Sequence, residues 1–209
     1  MMKRILVATT NPAKLAEYRL LLGEFGLDAI SLRTLGISES PDETGATFEE
    51  NALIKVRFYF ERARMPTIAD DGGLEIDALG GEPGVKSHRW IHGDRENTDE
   101  ELVAEVMRRM HSVPAAQRTA RLRAAAVVKY EYDGIVRESV VEAAIEGVIA
   151  ERAWPVIRPG FPYRAVLFLP DRNLFPGQLG EADEAHISQR REALLRLRPD
   201  LERIATTAY

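Results

Sequence analysis

Two long β-prone stretches joined by an Asp-Gly pair constrain the fold more than any other feature of the sequence. The stretches run from Thr119 to Tyr132 and from Ile135 to Ile149, and Asp133-Gly134 between them is a strong hairpin signal. Arg121 and Arg123 alternate with apolar residues, which predicts that both lie on one face of the first strand. The sequence therefore predicts a long antiparallel strand pair.

The N-terminal residues predict one strand-turn-helix unit. Arg4 to Ala8 contains a continuous apolar run and is predicted to be a short buried strand. Asn11 is a good N-cap and Pro12 suits the first helical position, so a helix is predicted from Pro12 to Leu22. Helix N-termini in such units bind anions.

The remaining elements are predicted from capping boxes and apolar runs. Helices are expected to begin near Thr47 and Thr98, where each threonine is followed three residues later by a glutamate. Strands are expected at residues 66–69, 74–78 and 166–169, and a final helix from Glu184 to Leu197, ending before Pro199. This pattern predicts an α/β fold with a mixed sheet flanked by helices, with the hairpin following the third helix. No linker is evident, so we expect residues 1–209 to form a single domain.

Composition excludes several classes of protein. The 209 residues carry a net charge of −5 and no cysteine, which excludes disulfides, thiolate metal sites and a cysteine nucleophile. An acidic chain is a poor candidate for binding nucleic-acid polymers. No apolar run reaches the roughly 18–20 residues of a membrane helix, and the N-terminus does not resemble a secretory signal. We therefore expect a cytoplasmic protein without membrane partners.

Adjacent carboxylates follow the predicted strand at residues 66–69. Asp70 and Asp71 precede two glycines, and two carboxylates at a strand end can bind Mg²⁺ together with water and phosphate oxygens. An exposed turn with two solvated acids is the alternative. Residues 42–45 (DETG) supply further carboxylates just before the second helix, where an acidic loop complementary to the helix dipole is the explanation that the local sequence favours.

A phosphate site is a second possibility at the first helix. Residues 9–14 could hold phosphate through backbone N–H groups, the side chains of Thr9 and Asn11, and the Lys14 ammonium. The segment lacks the glycine-rich phosphate-loop pattern. Lys55 is either a surface lysine or a second phosphate ligand.

Three segments together resemble the inosine/xanthosine triphosphate pyrophosphatase family. They are residues 8–14 (ATTNPAK), residues 43–52 (ETGATFEENA) with Lys55, and residues 68–84 (IADDGGLEIDALGGEPG) with Ser87 and Arg89. The resemblance is specific over roughly the first 95 residues. It implies a long twisted mixed sheet, two lobes around a central cleft, and a homodimer.

The resemblance also implies roles for individual residues. Residues of the first segment and Lys55 would bind the triphosphate, namely Thr9, Thr10, Asn11, Lys14 and Lys55. Asp42 stands at the family's metal-binding glutamate position. Asp71 would be both a Mg²⁺ ligand and the proton acceptor, supported by Asp70. The implied reaction is attack of a metal-activated water on the α-phosphorus with pyrophosphate leaving.

The second half departs from the family's pattern. The family's base-contacting segment aligns with residues 160–165 (GFPYRA), so that an acidic position becomes Arg164. A lysine position becomes Glu184, and the Ser-His-Arg motif becomes Ser188 followed by Gln189 and Arg190. The corresponding substrate-binding candidates are Phe161, Tyr163, Arg164, Glu184, Gln189 and Arg190, to which Gly72 is added because it replaces a family serine. For Phe161, Tyr163 and Trp154, packing in the core is an alternative to stacking on a base.

We therefore predict a Mg²⁺-dependent hydrolase that converts nucleoside triphosphates, of the inosine or xanthosine type, to monophosphate and pyrophosphate. The clustered departures leave two alternatives open. One is a changed base preference, for example for a pyrimidine triphosphate, and the other is a catalytically impaired nucleotide-binding dimer.

Overall fold

The computed structural model describes residues 2–93 and 95–206. Its strands are β1 (Lys3–Val7), β2 (Leu27–Ser31), β3 (Thr67–Ile76), β4 (Thr119–Tyr132), β5 (Ile135–Ile149) and β6 (Leu167–Phe168). Its α-helices are α1 (Pro12–Gly23), α2 (Phe48–Ala63), α3 (Asp99–Met110), α4 (Glu181–Ala185), α5 (Gln189–Arg196) and α6 (Arg198–Thr206). In the described part of the chain no helix is long and apolar enough to cross a membrane.

The strands form one mixed sheet in the order β2-β1-β3-β4-β5-β6. β1 pairs in parallel with both β2 and β3, whereas β6 pairs antiparallel with β5. The predicted α/β class with a mixed sheet and flanking helices is therefore confirmed.

The hairpin and the three long helices follow their sequence signals closely. β4 and β5 have the predicted bounds, and both Asp133 and Gly134 adopt positive φ angles, as a tight hairpin turn requires. Thr47 caps α2, and Thr98 forms a complete capping box with Glu101 at the start of α3. Arg121 and Arg123 both form ion pairs with Glu75, as expected for residues on one strand face.

The glycine pair after Asp70 and Asp71 continues a strand instead of turning. β3 runs unbroken from Thr67 to Ile76, so the expectation of two separate strands with the carboxylates at an end is wrong. Gly72 and Gly73 remain in the extended strand. A Cβ on Gly73 would lie 2.0 Å from the Ser87 Oγ, so this glycine is explained by close approach and not by a turn.

The predicted final helix is divided. Residues 184–197 span the end of α4, the break at Ser188 and the whole of α5, because the Ser188 side chain accepts from the N–H of Arg191 and starts a new helix. Pro199 does not end the helical region, since it lies in the first turn of α6, where a missing N–H costs nothing. The strand expected at residues 166–169 is shortened to the two residues of β6.

The chain divides into two compact units, each assembled from separate segments. The first contains Met1–Asp71, Ala124–Ala143 and Ser188–Tyr209, and the second contains Gly72–Arg123 and Ala144–Ile187. Within the first unit, Ile5, Leu6 and Val7 of β1 are fully buried and α1 contacts β2 and α5. In the second, α3 presents Leu102, Val106 and other apolar residues to a core formed with parts of β3 and β4.

Candidate active site

Within the first unit, the two carboxylates in the middle of β3 each contact a lysine from a different helix. Lys14 of α1 lies 3.2 Å from Asp70, measured from Nζ to Oδ2. Lys55 of α2 lies 3.2 Å from Asp71, measured from Nζ to Oδ1. The fold therefore brings together four residues that the sequence places in three separate segments.

Asp70 is a buried anion held by two cations. Its Oδ2 accepts from Arg190 Nε at 3.0 Å and is also the oxygen contacted by Lys14, and the side chain is 1% exposed. Burial alone would raise the pKa of Asp70, but Arg190 and Lys14 hold it well below its usual range. Asp70 is therefore ionised at neutral pH, and within the described residues its buried Oδ1 has no hydrogen-bond partner.

Asp71 is more accessible than Asp70 and is oriented from α2. Its side chain is 16% exposed, and its Oδ2 accepts from Asn51 Nδ2 at 3.3 Å. Burial would lower the pKa of Lys55, but the nearby Asp71 and Glu43 carboxylates more than offset this effect and raise it. Lys55 is therefore a charged lysine at a partly open carboxylate site, and not the surface lysine that was one of its two interpretations.

Of the carboxylates predicted in residues 42–45, Glu43 is the one that the structure brings to the site. Glu43 Oε2 lies 2.7 Å from Lys55 Nζ, so Glu43 and Asp71 share one ammonium. Asp42, the neighbouring residue, is exposed. The metal-ligand role predicted for Asp42 remains a prediction, and Glu43 is the neighbouring carboxylate that the structure brings near Asp71.

The N-terminus of α1 is organised by the side chains that were predicted to bind phosphate. Asn11 Oδ1 accepts from the N–H groups of Ala13 and Lys14, and Thr9 Oγ1 accepts from the N–H of Asn11. Three backbone donors of the proposed phosphate cradle are thus occupied within the segment. Thr10 is exposed beside them.

The ammonium of Lys14 is the other positive group at this helix terminus. Burial lowers its pKa, an effect that Asp70 opposes and Arg190 strengthens. A phosphate arriving here would favour the charged form of Lys14.

Arg190 lies in the interior of the first unit. Its guanidinium contacts Asp70 and, through NH1, the Oε2 of Glu17 at 3.3 Å. Glu17 was not anticipated, although a glutamate among the apolar residues of α1 is a signal that could have found it. The adjacent Gln189 is also buried, and its Oε1 has no hydrogen-bond partner in the part of the chain that the structure describes.

In the second unit, the two residues whose charges are reversed relative to the family's pattern form an ion pair with each other. Arg164 and Glu184 are both buried, with Arg164 NH1 3.2 Å from Glu184 Oε1. Arg158 also contacts Glu184, and this residue was not singled out in the sequence. The Arg164 guanidinium lies over the ring of Phe161, 3.7 Å from the ring centroid. The two reversals compensate each other, which leaves a buried ion pair with an aromatic face beside it.

Two aromatic candidates of the second unit have packing partners. Tyr163 is buried and its hydroxyl donates to the carbonyl of Ser87 at 2.8 Å, while burial raises the pKa of Tyr163 well above its ordinary value. Trp154 lies against Phe175, with ring centroids 6.1 Å apart. These contacts agree with the packing interpretation of both residues. Gly72 lies in the β3 portion of this unit and is partly exposed.

The donor set around Asp71 suits a hard divalent cation. No cluster of three or more His, Asp or Glu side chains able to hold a metal occurs in residues 2–93 and 95–206. Mg²⁺ does not require one, because it takes one or two protein carboxylates and completes its octahedron with water and phosphate oxygens. Asp71, Glu43 and the Oδ1 of Asp70, which has no hydrogen-bond partner among the described residues, are the acceptors that could serve it.

Comparison with known proteins shows the family of the chain. A model described as the Ham1 family matches residues 5–200. The chain belongs to the Ham1 family. The dITP/XTP pyrophosphatase of Geobacillus kaustophilus is 39% identical over 205 residues, covering 97% of this chain and 96% of that protein. The dITP/XTP pyrophosphatase of Bacillus subtilis is 36% identical, with coverages of 96% and 98%.

Solved Ham1-family structures share the fold. The Ham1 protein of Staphylococcus aureus superposes with a TM-score of 0.78 at 27% identity, covering 96% of this chain and 98% of that one. The nucleoside-triphosphatase / dITP/XTP pyrophosphatase of Mycobacterium abscessus gives a TM-score of 0.69 at 34% identity, with coverages of 93% of this chain and 98% of that one. The match extends beyond the first 95 residues, so the divergent second half belongs to the same Ham1 fold.

Proposed function

We propose that this protein is a Mg²⁺-dependent nucleoside triphosphate pyrophosphatase acting on purine triphosphates of the inosine and xanthosine type. The observation that carries the proposal is the arrangement of Asp70 and Asp71 on β3, each in contact with a lysine from a different helix. A site that contains both carboxylates and ammonium groups can bind a metal-triphosphate complex, because the carboxylates attract the metal cation and the ammonium groups attract the phosphates. The names of the relatives supply the substrate class.

Each residue of the cluster has a role in this proposal. Lys14 and Lys55 would bind the oxygens of the triphosphate, and Thr9, Thr10 and Asn11 would line its approach at the start of α1. Asp71 would accept the proton of the attacking water, because it is the more accessible carboxylate of the pair. Asp70 would remain ionised and hold Lys14 in place. Asp71, with Asp42 or Glu43, would hold Mg²⁺, which would neutralise the negative charge that develops on the phosphates.

The reaction balances as a simple hydrolysis. Water attacks the α-phosphorus, the bond from the α-phosphorus to the bridging oxygen breaks, and pyrophosphate leaves. Asp71 takes one proton, and the products are a nucleoside monophosphate and pyrophosphate.

A substrate panel tests the proposal. Pyrophosphate release is measured with Mg²⁺ from inosine, deoxyinosine and xanthosine triphosphates, and from ATP, GTP and dUTP. We expect kcat/KM for the first three to exceed that for ATP and GTP. If no triphosphate is hydrolysed but some bind, the impaired nucleotide-binding alternative is correct instead.

A changed base preference is favoured by one specific observation, the buried pair of Arg164 and Glu184. If these residues contact the base, dUTP or another triphosphate would lead the panel. The variant Arg164→Asp with Glu184→Lys restores the family's charges and should raise kcat/KM for inosine triphosphate. Arg158→Gln is added to it because Arg158 would otherwise face a lysine. The matched control exchanges two exposed charges, Arg172→Glu with Glu181→Arg. If the variant that restores the family's charges keeps the wild-type substrate ranking, Arg164 and Glu184 do not contact the base.

The same proposal includes one functional domain over residues 1–209, a homodimer and a cytoplasmic location. These follow from the resemblance to the family. Sedimentation at several protein concentrations tests the dimer, and fractionation of the source cells tests the location.

A further inference from the structure

Two polar side chains on the buried face of α2 each connect the segment before the helix to Asp71. Asn51 is 3% exposed and lies one turn before Lys55. Asn51 Oδ1 accepts from the N–H of Gly45 at 2.8 Å, and its Nδ2 donates to Asp71 Oδ2 at 3.3 Å. Lys55 makes the parallel connection from Glu43 to Asp71 Oδ1.

These contacts determine the orientation of the Asp71 carboxylate. One oxygen accepts from Asn51 and the other from Lys55, so a quarter-turn of the carboxylate about its Cβ–Cγ bond would lose both hydrogen bonds. Asn51 suits this position because a primary amide both accepts and donates. An aspartate there could accept from Gly45 but could not donate to Asp71, and it would place like charges together.

Gly45 shows how closely the segment packs on α2. A Cβ at this position would lie 2.6 Å from the Cβ of Glu50, 2.7 Å from the Oδ1 of Asn51 and 2.9 Å from its backbone nitrogen. Glycine is therefore required for the hydrogen bond from Gly45 to Asn51. Any side chain at residue 45 would push the segment away from Asn51 and break this hydrogen bond.

We propose that Asn51 is a positioning residue, which orients Asp71 for proton transfer and holds residues 43–45 against the first turns of α2. The inference rests on the proposed function only for the chemical role of Asp71. Asn51 itself acts through Asp71, because its two polar atoms are both engaged within the protein.

Kinetics of Asn51→Asp test the role in turnover. We expect kcat for pyrophosphate release to fall by about 10²-fold, as misplacement of a reacting group does, with KM for the triphosphate near its wild-type value. Asn97→Asp is the matched control, since Asn97 is also buried and accepts a backbone N–H, from Ile91, but belongs to the other unit. A wild-type kcat in Asn51→Asp would overturn the inference.

Thermal unfolding tests the contact independently of any substrate. The exchange variant Asn51→Asp with Asp71→Asn restores one amide and one carboxylate in hydrogen-bonding distance, so it should recover most of the Tm lost in Asn51→Asp alone. Strictly additive Tm changes would overturn the contact, whatever the kinetics show. If Asn51→Asp does not fold, Gly45→Ala replaces it, with the same fall in kcat expected and a wild-type kcat overturning the inference.

The two measurements separate this inference from the proposed function. If the wild-type protein releases no pyrophosphate from any triphosphate, the proposed function fails, and the Tm comparison alone decides whether Asn51 holds Asp71.

Discussion

Arg190 donates from Nε to Oδ2 of Asp70 across 3.0 Å, with both side chains almost completely buried. NH1 of the same guanidinium donates to Oε2 of Glu17 at 3.3 Å. One arginine therefore compensates two buried carboxylates, and Lys14 shares one of them.

Removing this guanidinium should cost far more stability than removing its neighbour. Arg190→Met leaves Asp70 and Glu17 buried with reduced compensation, and we expect the free energy of unfolding to fall by about 3–5 kcal/mol. Arg191→Met is the control, because its ion pair with Glu24 is partly exposed and such pairs contribute about 0–1 kcal/mol. Urea unfolding measures both; equal losses would show that Asp70 and Glu17 do not depend on Arg190.

Asp71→Asn should remove turnover while leaving the fold intact. The amide cannot accept the proton, and general-base catalysis contributes about 10²–10⁴-fold, so kcat should fall at least 10²-fold on this basis. Pyrophosphate release is the measurement. Asp28→Asn, an exposed carboxylate on β2, is the control and should keep wild-type turnover. Retained activity in Asp71→Asn would exclude Asp71 as the base.

Arg118 is a buried cation in the second unit whose described partners are backbone carbonyls. Its guanidinium donates to the carbonyls of Ile149, Met110 and Ala150, each at 2.6 Å. Arg118→Met leaves these acceptors unsatisfied, at about 1–3 kcal/mol for each one that stays buried, so the free energy of unfolding should fall by at least about 2 kcal/mol. The exposed Arg137→Met is the control in chemical unfolding, and a loss no larger than the control's would contradict the prediction.

The lowered pKa of Glu105 should make the free energy of unfolding depend on pH. Hydrogen bonds from Arg108, and less strongly from Arg109, lower its pKa from 4.5 to about 2. Because the folded-state pKa is the lower one, Glu105 stabilises the fold above pH ~4.5, and this contribution is lost as the pH falls toward ~2. Glu105→Gln should therefore be less stable than wild type by about 0.5–1 kcal/mol at pH 7.

The measurement for Glu105 is urea unfolding at several pH values. We expect the difference between wild type and Glu105→Gln to disappear near pH 2. The exposed Glu131→Gln should show no such difference at any pH. A difference for Glu105→Gln that is independent of pH would mean that the carboxylate charge is not its source.

Local signals were sufficient for most of the fold. The Asp133-Gly134 turn and the threonine caps of α2 and α3 act within a few residues, so the elements they define could be read from the sequence. β3 could not, because its place between β1 and β4 and the close approach of Ser87 to Gly73 both involve residues distant in the sequence. That is tertiary information, and the glycine pair by itself is typical of a turn.

In the candidate site, too, contacts between distant segments could not be predicted from local sequence. Asp70, Asp71, Lys14 and Lys55 were found from their segments, but their pairing depends on the sheet and two helices. Glu17 and Asn51 are important because of distant partners, Arg190 and Asp71. The available signal for both is a polar residue at a buried helical position, which identifies the residue without identifying its partner.

The assembly of the first unit from both ends of the chain has a consequence for biosynthesis. Glu17 and its guanidinium partner are separated by 173 positions. A nascent chain that has emerged only through β3 contains both carboxylates but not Arg190, so a ribosome must translate a further 114 residues beyond β3 before this guanidinium can contact them. Such distant contacts also slow folding, because a long loop must close first. Premature termination shortly before codon 190 would thus release a polypeptide that contains Glu17 and Asp70 but lacks the guanidinium that contacts both.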